Sequence, residues 1–281
     1  MRAGGPALNH PGFANCAYNL GHRQHPRFIM RIFPALLLLG SVSFSPLAHA
    51  DGVADLKSAL TRLQGSTPLK AQIDVVSLAK FGEGKEQEET PGRASLSVED
   101  GQRGLQVLYS KELLARLDSE QTAKQKDSKS KTPTVAALRE VSSTELHPML
   151  SAANSLNRLL EKSVFKHEKE TSYNGKPARL LNFEMPIDKL SEKDRKYIKK
   201  FDATLEIWIA QDGTPLASHL QQNISGRALV VISFESKSDE ATVYGVAGDR
   251  LIMLRKESKN SSSGAGERGD THVTKSLQLQ S

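Results

Sequence analysis

From Leu69 to Leu279, apolar residues fall mainly at alternate positions, and this pattern confines most of the chain to strands. In Leu69–Phe81, Ala71, Ile73 and Val75 share one face and Lys70, Gln72 and Asp74 the other, as in a half-buried strand. Leu205, Ile207 and Ile209 alternate in the same way, as do Leu181, Phe183 and Met185, and Val230, Ile232 and Phe234. Asp100-Gly101, Asn174-Gly175 and Asp212-Gly213 are hairpin-type turn dipeptides. Strands joined by short turns must run antiparallel. Further strands are predicted over 94–98, 105–109, 165–173, 176–184, 216–222, 228–235, 241–246, 250–255 and 271–279, with 82–92 a polar loop. The predicted fold class is α+β: a strongly curved antiparallel sheet, an unclosed β-barrel, with helices against its concave face.

Helical spacing interrupts this rhythm in few places. Leu56, Leu60 and Leu63 mark a short amphipathic helix over 55–63. A helical insertion spans 110–164. Within it, Ser110 caps a helix through Leu117, the Lys/Ser/Gln-rich stretch 121–131 reads as a mobile loop, and Val135, Leu138 and Val141 mark a further turn or two. The best helix is 143–161, where Leu146, Met149, Leu150, Ala153, Leu156 and Leu160 form one stripe. Pro148 falls in its first turn if the helix starts near Leu146. Ser191 caps a short charged helix running to Lys200, which Tyr197 and Ile198 hold against the sheet.

Residues 30–50 carry an address. Arg31 is a basic n-region, 32–39 is a short apolar run, and Ala48-His49-Ala50 is a small-x-small cleavage pattern. The run is too short for a membrane span, which needs about 20 apolar residues. Residues 1–29 read as a non-native extension with Met30 the initiator, and 51–281 as a single exported domain. Removing the first 50 residues leaves 34 basic against 32 acidic groups, so charge gives no argument for nucleic-acid binding. The one cysteine, Cys16, lies upstream of the cut, which excludes disulfides, thiolate metal sites and cysteine nucleophiles from the exported chain. The expected product is soluble, has no further membrane span, and works in the periplasm.

Catalytic patterns are sparse. Gly264-Ala-Gly266-Glu-Arg-Gly269 matches G-x-G-x-x-G, but Ser261–Ser263 precede it and Asp270-Thr-His-Val follows. A dinucleotide fingerprint needs a strand before and a helix after. A flexible loop between the last two strands is expected instead. His147, His167, His219 and His272 show no i, i+4 zinc spacing, and no G-x-S-x-G elbow occurs. Asp74 and Glu206 alternate away from the apolar face and read as solvated strand residues. No catalysis, cofactor or metal is assigned. The basic stretch 189–200 reads as a solvated connector, with an anionic lipid surface or an acidic partner as the alternative. The space between helix and sheet is either filled by side chains or left as an apolar cavity.

The order of elements resembles the periplasmic lipoprotein-carrier family typified by LolA. The shared features are a signal peptide, the helix 55–63, the strand Leu69–Phe81 with its meander, an internal helical segment, and Leu205-Glu-Ile-Trp-Ile-Ala-Gln-Asp-Gly-Thr-Pro-Leu216. The resemblance implies a half-barrel with a helical lid, binding acyl chains or another lipid. Ile73, Val75, Leu181, Phe183, Leu205, Ile207, Ile209, Val230, Ile232 and Phe234 would line the cavity, with Leu146, Met149, Leu150 and Leu156 as its lid. The expected partner is a lipid or acylated ligand. The alternative is an envelope protein-interaction or stress-sensing module with a filled core.

Overall fold

Tight turns gather the strands into one antiparallel ladder. The computed structural model describes residues 51–228 and 232–280. Among them run β1 (Leu69–Phe81), β2 (Glu88–Gly101), β3 (Gly104–Leu108), β4 (Val164–Tyr173), β5 (Lys176–Glu184), β6 (Ile198–Ile209), β7 (Pro215–Ala228), β8 (Ile232–Ala247), β9 (Arg250–Gly264) and β10 (Glu267–Gln280). They form one sheet in the order β3-β2-β1-β10-β9-β8-β7-β6-β5-β4. Every neighbouring pair is antiparallel, and β3 and β4 remain as unpaired edges, so the curved sheet is an unclosed barrel. The expected signal segment lies outside the described residues.

Several strands differ from expectation. β2 starts at Glu88, so the loop predicted over 82–92 is shorter. Predicted strands 228–235 and 241–246 are replaced by the single strand β8, because β7 continues to Ala228 before the chain turns. The polar residues between those stretches, such as Ser236 and Ser238, hide the strand from an apolar count although Ile224 and Gln222 pair with them. The G-x-G-x-x-G stretch is a tight hairpin rather than a flexible loop: Ala265 and Gly266 take φ 54 and 81, while Gly264 ends β9 and Glu267 opens β10. The strand–turn–helix geometry of a dinucleotide site is therefore absent there.

Six α-helices lie among the described residues: α1 (Gly52–Arg62), α2 (Lys111–Lys126), α3 (Pro133–Arg139), α4 (Ser143–Leu150), α5 (Ala153–Glu161) and α6 (Glu192–Arg195). Asp51 caps α1 by accepting from the Val53 and Ala54 N–H groups. The predicted mobile loop over 121–131 is largely helix, since α2 continues to Lys126. Gln, Ala and Lys are good helix formers and need no buried stripe, and Leu113 is the only buried residue of α2. Glu120 then caps α3, accepting from Thr134 N–H at 2.9 Å and Val135 N–H at 3.2 Å. α6 ends at Arg195 instead of Lys200, Ile198 already belongs to β6, and Tyr197 is exposed.

The single helix predicted over 143–161 is two. Ser151 N–H still closes onto His147, but Ala152 N–H leaves the helix and donates to the Leu251 carbonyl of β9 at 2.7 Å. Pro148 sits inside α4, starting as it does at Ser143, and supplies no N–H to it. The break marks a split in the sheet. β9 and β10 pair only as far as Arg255 and Ser276; beyond that, β10 follows β1 alone. The exposed edge of β9 is covered by the end of α1, with Leu251 N–H donating to Leu63 at 3.1 Å and Gly65 N–H to Asp249 at 2.9 Å. Both backbone groups of the buried Leu251 on the edge left by the split are thus satisfied at helix ends, as buried backbone requires.

Candidate functional site

Alternation aims one face of the sheet at the helices. Ile73 and Val75 of β1, Leu96 of β2, Leu181 and Phe183 of β5, and Leu205, Ile207 and Ile209 of β6 belong to one contiguous apolar cluster. Leu56 and Leu60 of α1, Leu146, Met149 and Leu150 of α4, and Leu156 of α5 complete it. The predicted lid therefore lies against the predicted inward residues. Ile73, Val75, Leu150, Leu181, Leu205, Ile207 and Ile209 have 0% accessible surface, so no water-sized void touches them in this conformation. Side chains fill the layer between α4–α5 and the sheet around these residues.

Three assigned residues are not in that cluster. Ile232 and Phe234 are half-buried near the start of β8, beyond the reach of the helices. Val230 lies outside the described residues. Their alternation is that of the same inner face, but helix cover ends before it reaches them. Further out on this face, Ser236, Ser238, Asn260 and Ser262 form polar cross-strand neighbours.

Where the apolar layer meets this polar half, charged side chains tie α4 to the sheet. Lys275 of β10 is buried and donates to Glu145 of α4 at 2.8 Å. Lys256 of β9 approaches the same carboxylate at 3.9 Å and Glu240 of β8 at 2.9 Å. Burial pushes the Glu145 carboxyl up, but the Lys275 hydrogen bond and the two lysine charges outweigh it and hold the group below its ordinary value. Beside this cluster, Tyr244 and Ser218 share a buried hydroxyl pair at 2.9 Å, and burial raises the phenol's pKa.

Two buried arginines anchor the ends of the layer. Arg179 of β5 donates to Asp55 of α1 at 2.7 Å and to the Gln211 carbonyl at 3.2 Å, and it lies 3.5 Å from Glu168 of β4. Glu168 in turn accepts the Gly52 N–H at 3.1 Å, which fixes the start of α1. Arg250 bonds Asp100 at the end of β2, across the split in the sheet. The sequence reading missed Arg179, Lys275, Lys256, Glu145 and Arg250. The signal was present for two of them: Arg179 is in phase with Leu181 and Phe183, and Lys275 with Val273 and Leu277.

The larger cavities lie elsewhere. One of about 750 Å³ opens beside the split, lined by Pro68, Leu69, Asp100, Arg103, Ala247 and Leu279. Another of about 460 Å³ lies on the opposite face of the sheet, over Leu78, Gln221, Asp239, Lys259 and His272. There His219 stands between Asp239 at 3.0 Å and Glu206 at 3.8 Å. The Gln221 hydrogen bond foremost, with help from His219, keeps the Asp239 carboxyl below its usual range. Among the described residues, no group of three or more His, Cys, Asp or Glu could hold a metal ion. No described helix is long and apolar enough to cross a membrane.

No protein-family model matches the chain, and no curated protein sequence matches it. Among solved structures the chain is similar to a LolA superfamily protein from Nitrosomonas europaea, at 7% identity and a TM-score of 0.26. That match covers 82% of this chain and 94% of the other. The likeness is distant, and the open antiparallel sheet with its helix-covered face stands on the chain's own hydrogen-bond ladder.

Proposed function

We propose that the protein is a non-catalytic periplasmic binding protein, exported by residues 30–50 and cut after Ala50, that takes up an apolar, lipid-like ligand. One observation carries this reading: a single apolar cluster joins inward residues of β1, β5 and β6 to two short helices that are broken from each other, the first of which is tied to β10 by the Glu145–Lys275 ion pair. In this reading, moving α4 and α5 aside opens the cluster to a ligand that meets Ile73, Val75, Leu181, Phe183, Leu205, Ile207 and Ile209. Acyl chains laid there would recover about 0.8 kcal/mol per buried CH₂, which offsets the loss of the helix contacts. In this reading Leu146, Met149, Leu150 and Leu156 are the residues a ligand replaces.

A second reading is favoured by the filled layer itself. With no accessible surface at Ile73, Val75, Leu181, Leu205, Ile207 and Ile209, the helices act as permanent core and the protein serves as an envelope protein-interaction or sensing module. Native mass spectrometry of protein purified from periplasm separates the two. The carrier reading expects a bound lipid mass that disappears when 143–161 is deleted. A clean apo mass with a stoichiometric protein partner supports the module.

A further inference from the structure

We infer that the end of the sheet formed by the start of β6 and the end of β7 is a docking surface for a bilayer containing anionic lipids. This surface is independent of the apolar layer and does not depend on the carrier reading. Strands β5 and β6 are antiparallel neighbours, which about two to five residues suffice to join. The chain instead takes the long detour from Met185 to Tyr197. That detour and the first residues of β6 carry Lys193, Lys196, Lys199 and Lys200, all exposed and none in an ion pair among the described residues. Of the intervening acids, Asp194 is already engaged by the Ser191 hydroxyl at 2.7 Å.

The fold brings a further cation to the same place. Arg227 N–H of β7 donates to the Tyr197 carbonyl at 2.9 Å. Gly226 makes this approach feasible, since a Cβ there would lie 2.0 Å from that carbonyl oxygen. A shallow cavity of about 430 Å³ results, lined by Lys199, Lys200, Ser225, Arg227, Ser233 and Ser263. Its charge and hydroxyls match a lipid phosphate, and Glu235 at its margin is the one acid lining it. Beside it, Tyr197 is 47% exposed, and Ile187, elsewhere on the same connection, is 38% exposed. Apolar and aromatic side chains among unpaired cations suit the headgroup region of a membrane better than an acidic protein face.

The test is flotation of the chain starting at Asp51, which contains every described element, with two sets of vesicles. One is pure phosphatidylcholine and the other contains phosphatidylglycerol. Binding to the anionic vesicles only, weakened by added salt, is the expected result. Each lost cation should weaken binding about fivefold. The K199E/K200E/R227E variant, and the milder K199Q/K200Q/R227Q if the first is unstable, should therefore bind about a hundredfold more weakly. Y197S should lower binding without changing the salt dependence. Equal binding to both vesicle types, no binding, or unchanged binding by the charge variants overturns the inference. Capture by polyglutamate without capture by vesicles overturns it in favour of an acidic protein partner.

Discussion

Lys275 and Glu145 join β10 to α4: the ammonium, buried beneath α4, donates to the carboxylate at 2.8 Å. Replacing Glu145 with Gln leaves a buried cation without its counter-charge. For a fully buried pair such a loss costs about 3–5 kcal/mol. The Glu145 side chain is 42% exposed, so water screens the pair and about 1–2 kcal/mol is expected at neutral pH. The folded-state pKa of Glu145 is depressed, so its contribution is present above the ordinary carboxylate range and lost as pH falls through the folded value. Urea unfolding of the wild type should therefore lose more stability than E145Q between about pH 5 and pH 3. Parallel pH profiles for the two proteins would show that the ion pair does not hold the lid.

Arg179 fixes the opposite end of the layer through Asp55, Glu168 and Gln211. Arg179→Ala removes the guanidinium and strands two carboxylates at the start of α1. A loss of about 3–5 kcal/mol in urea unfolding is expected. Arg179→Met keeps much of the packing, and Arg179→Met combined with Asp55→Asn should recover part of the loss because one of the stranded charges goes too. A double variant no better than Arg179→Met alone would place the energy in packing rather than in the ion pair.

The sheet was legible in the sequence because alternation and turn dipeptides are local signals. Ile73, Leu181 and Leu205 could be placed on the inner face from their spacing alone. The long strands β8 and β9 were legible only in part, because half of their inner residues are Ser, Asn, Glu or Lys and pair with polar neighbours instead of core. The lid's broken helix was not legible: the bond from Ala152 N–H to Leu251 is a long-range contact, while the apolar stripe runs through the break unchanged. The second half of α2, beyond Leu117, was missed for the opposite reason, since a nearly unburied helix leaves no periodic signal. Whether the layer was filled depended on fit between elements distant in sequence, which no spacing encodes.

Gly92 lets α3 lie on β2. A Cβ at this position would come within 2.2 Å of Ser77 Oγ and 2.8 Å of the Ala137 N. The serine hydroxyl can rotate, but the helix backbone must move. Gly92→Ala should cost about 1–3 kcal/mol, in the range of overpacked cores. The damage should be local: hydrogen exchange in 133–139 should quicken while the β6–β7 ladder keeps its protection. Uniform loss of protection across the sheet would mean that α3 is integral to global folding.

Leu205 and Leu150 face each other's layer from β6 and α4, and truncating each distinguishes a packed core from a cavity wall. Both have no accessible surface. Leu205→Ala in a packed layer leaves a void and should cost about 2–5 kcal/mol. A side chain lining an existing ligand space would cost only its lost transfer energy, toward the lower end of that range or below it. Leu150→Ala reports on the lid alone: if α4 readily leaves the sheet, its truncation should shift the lid equilibrium while global unfolding changes little. Equilibrium unfolding gives the global term, and proteolysis within 143–161 gives the lid term. Large global losses at both positions, with no gain in lid cleavage, would show helix and sheet unfolding as one unit and would favour the filled-core module. A large loss at Leu205 with a selective rise in lid cleavage for Leu150→Ala would show the helices to be the replaceable part of the apolar layer, as a carrier requires.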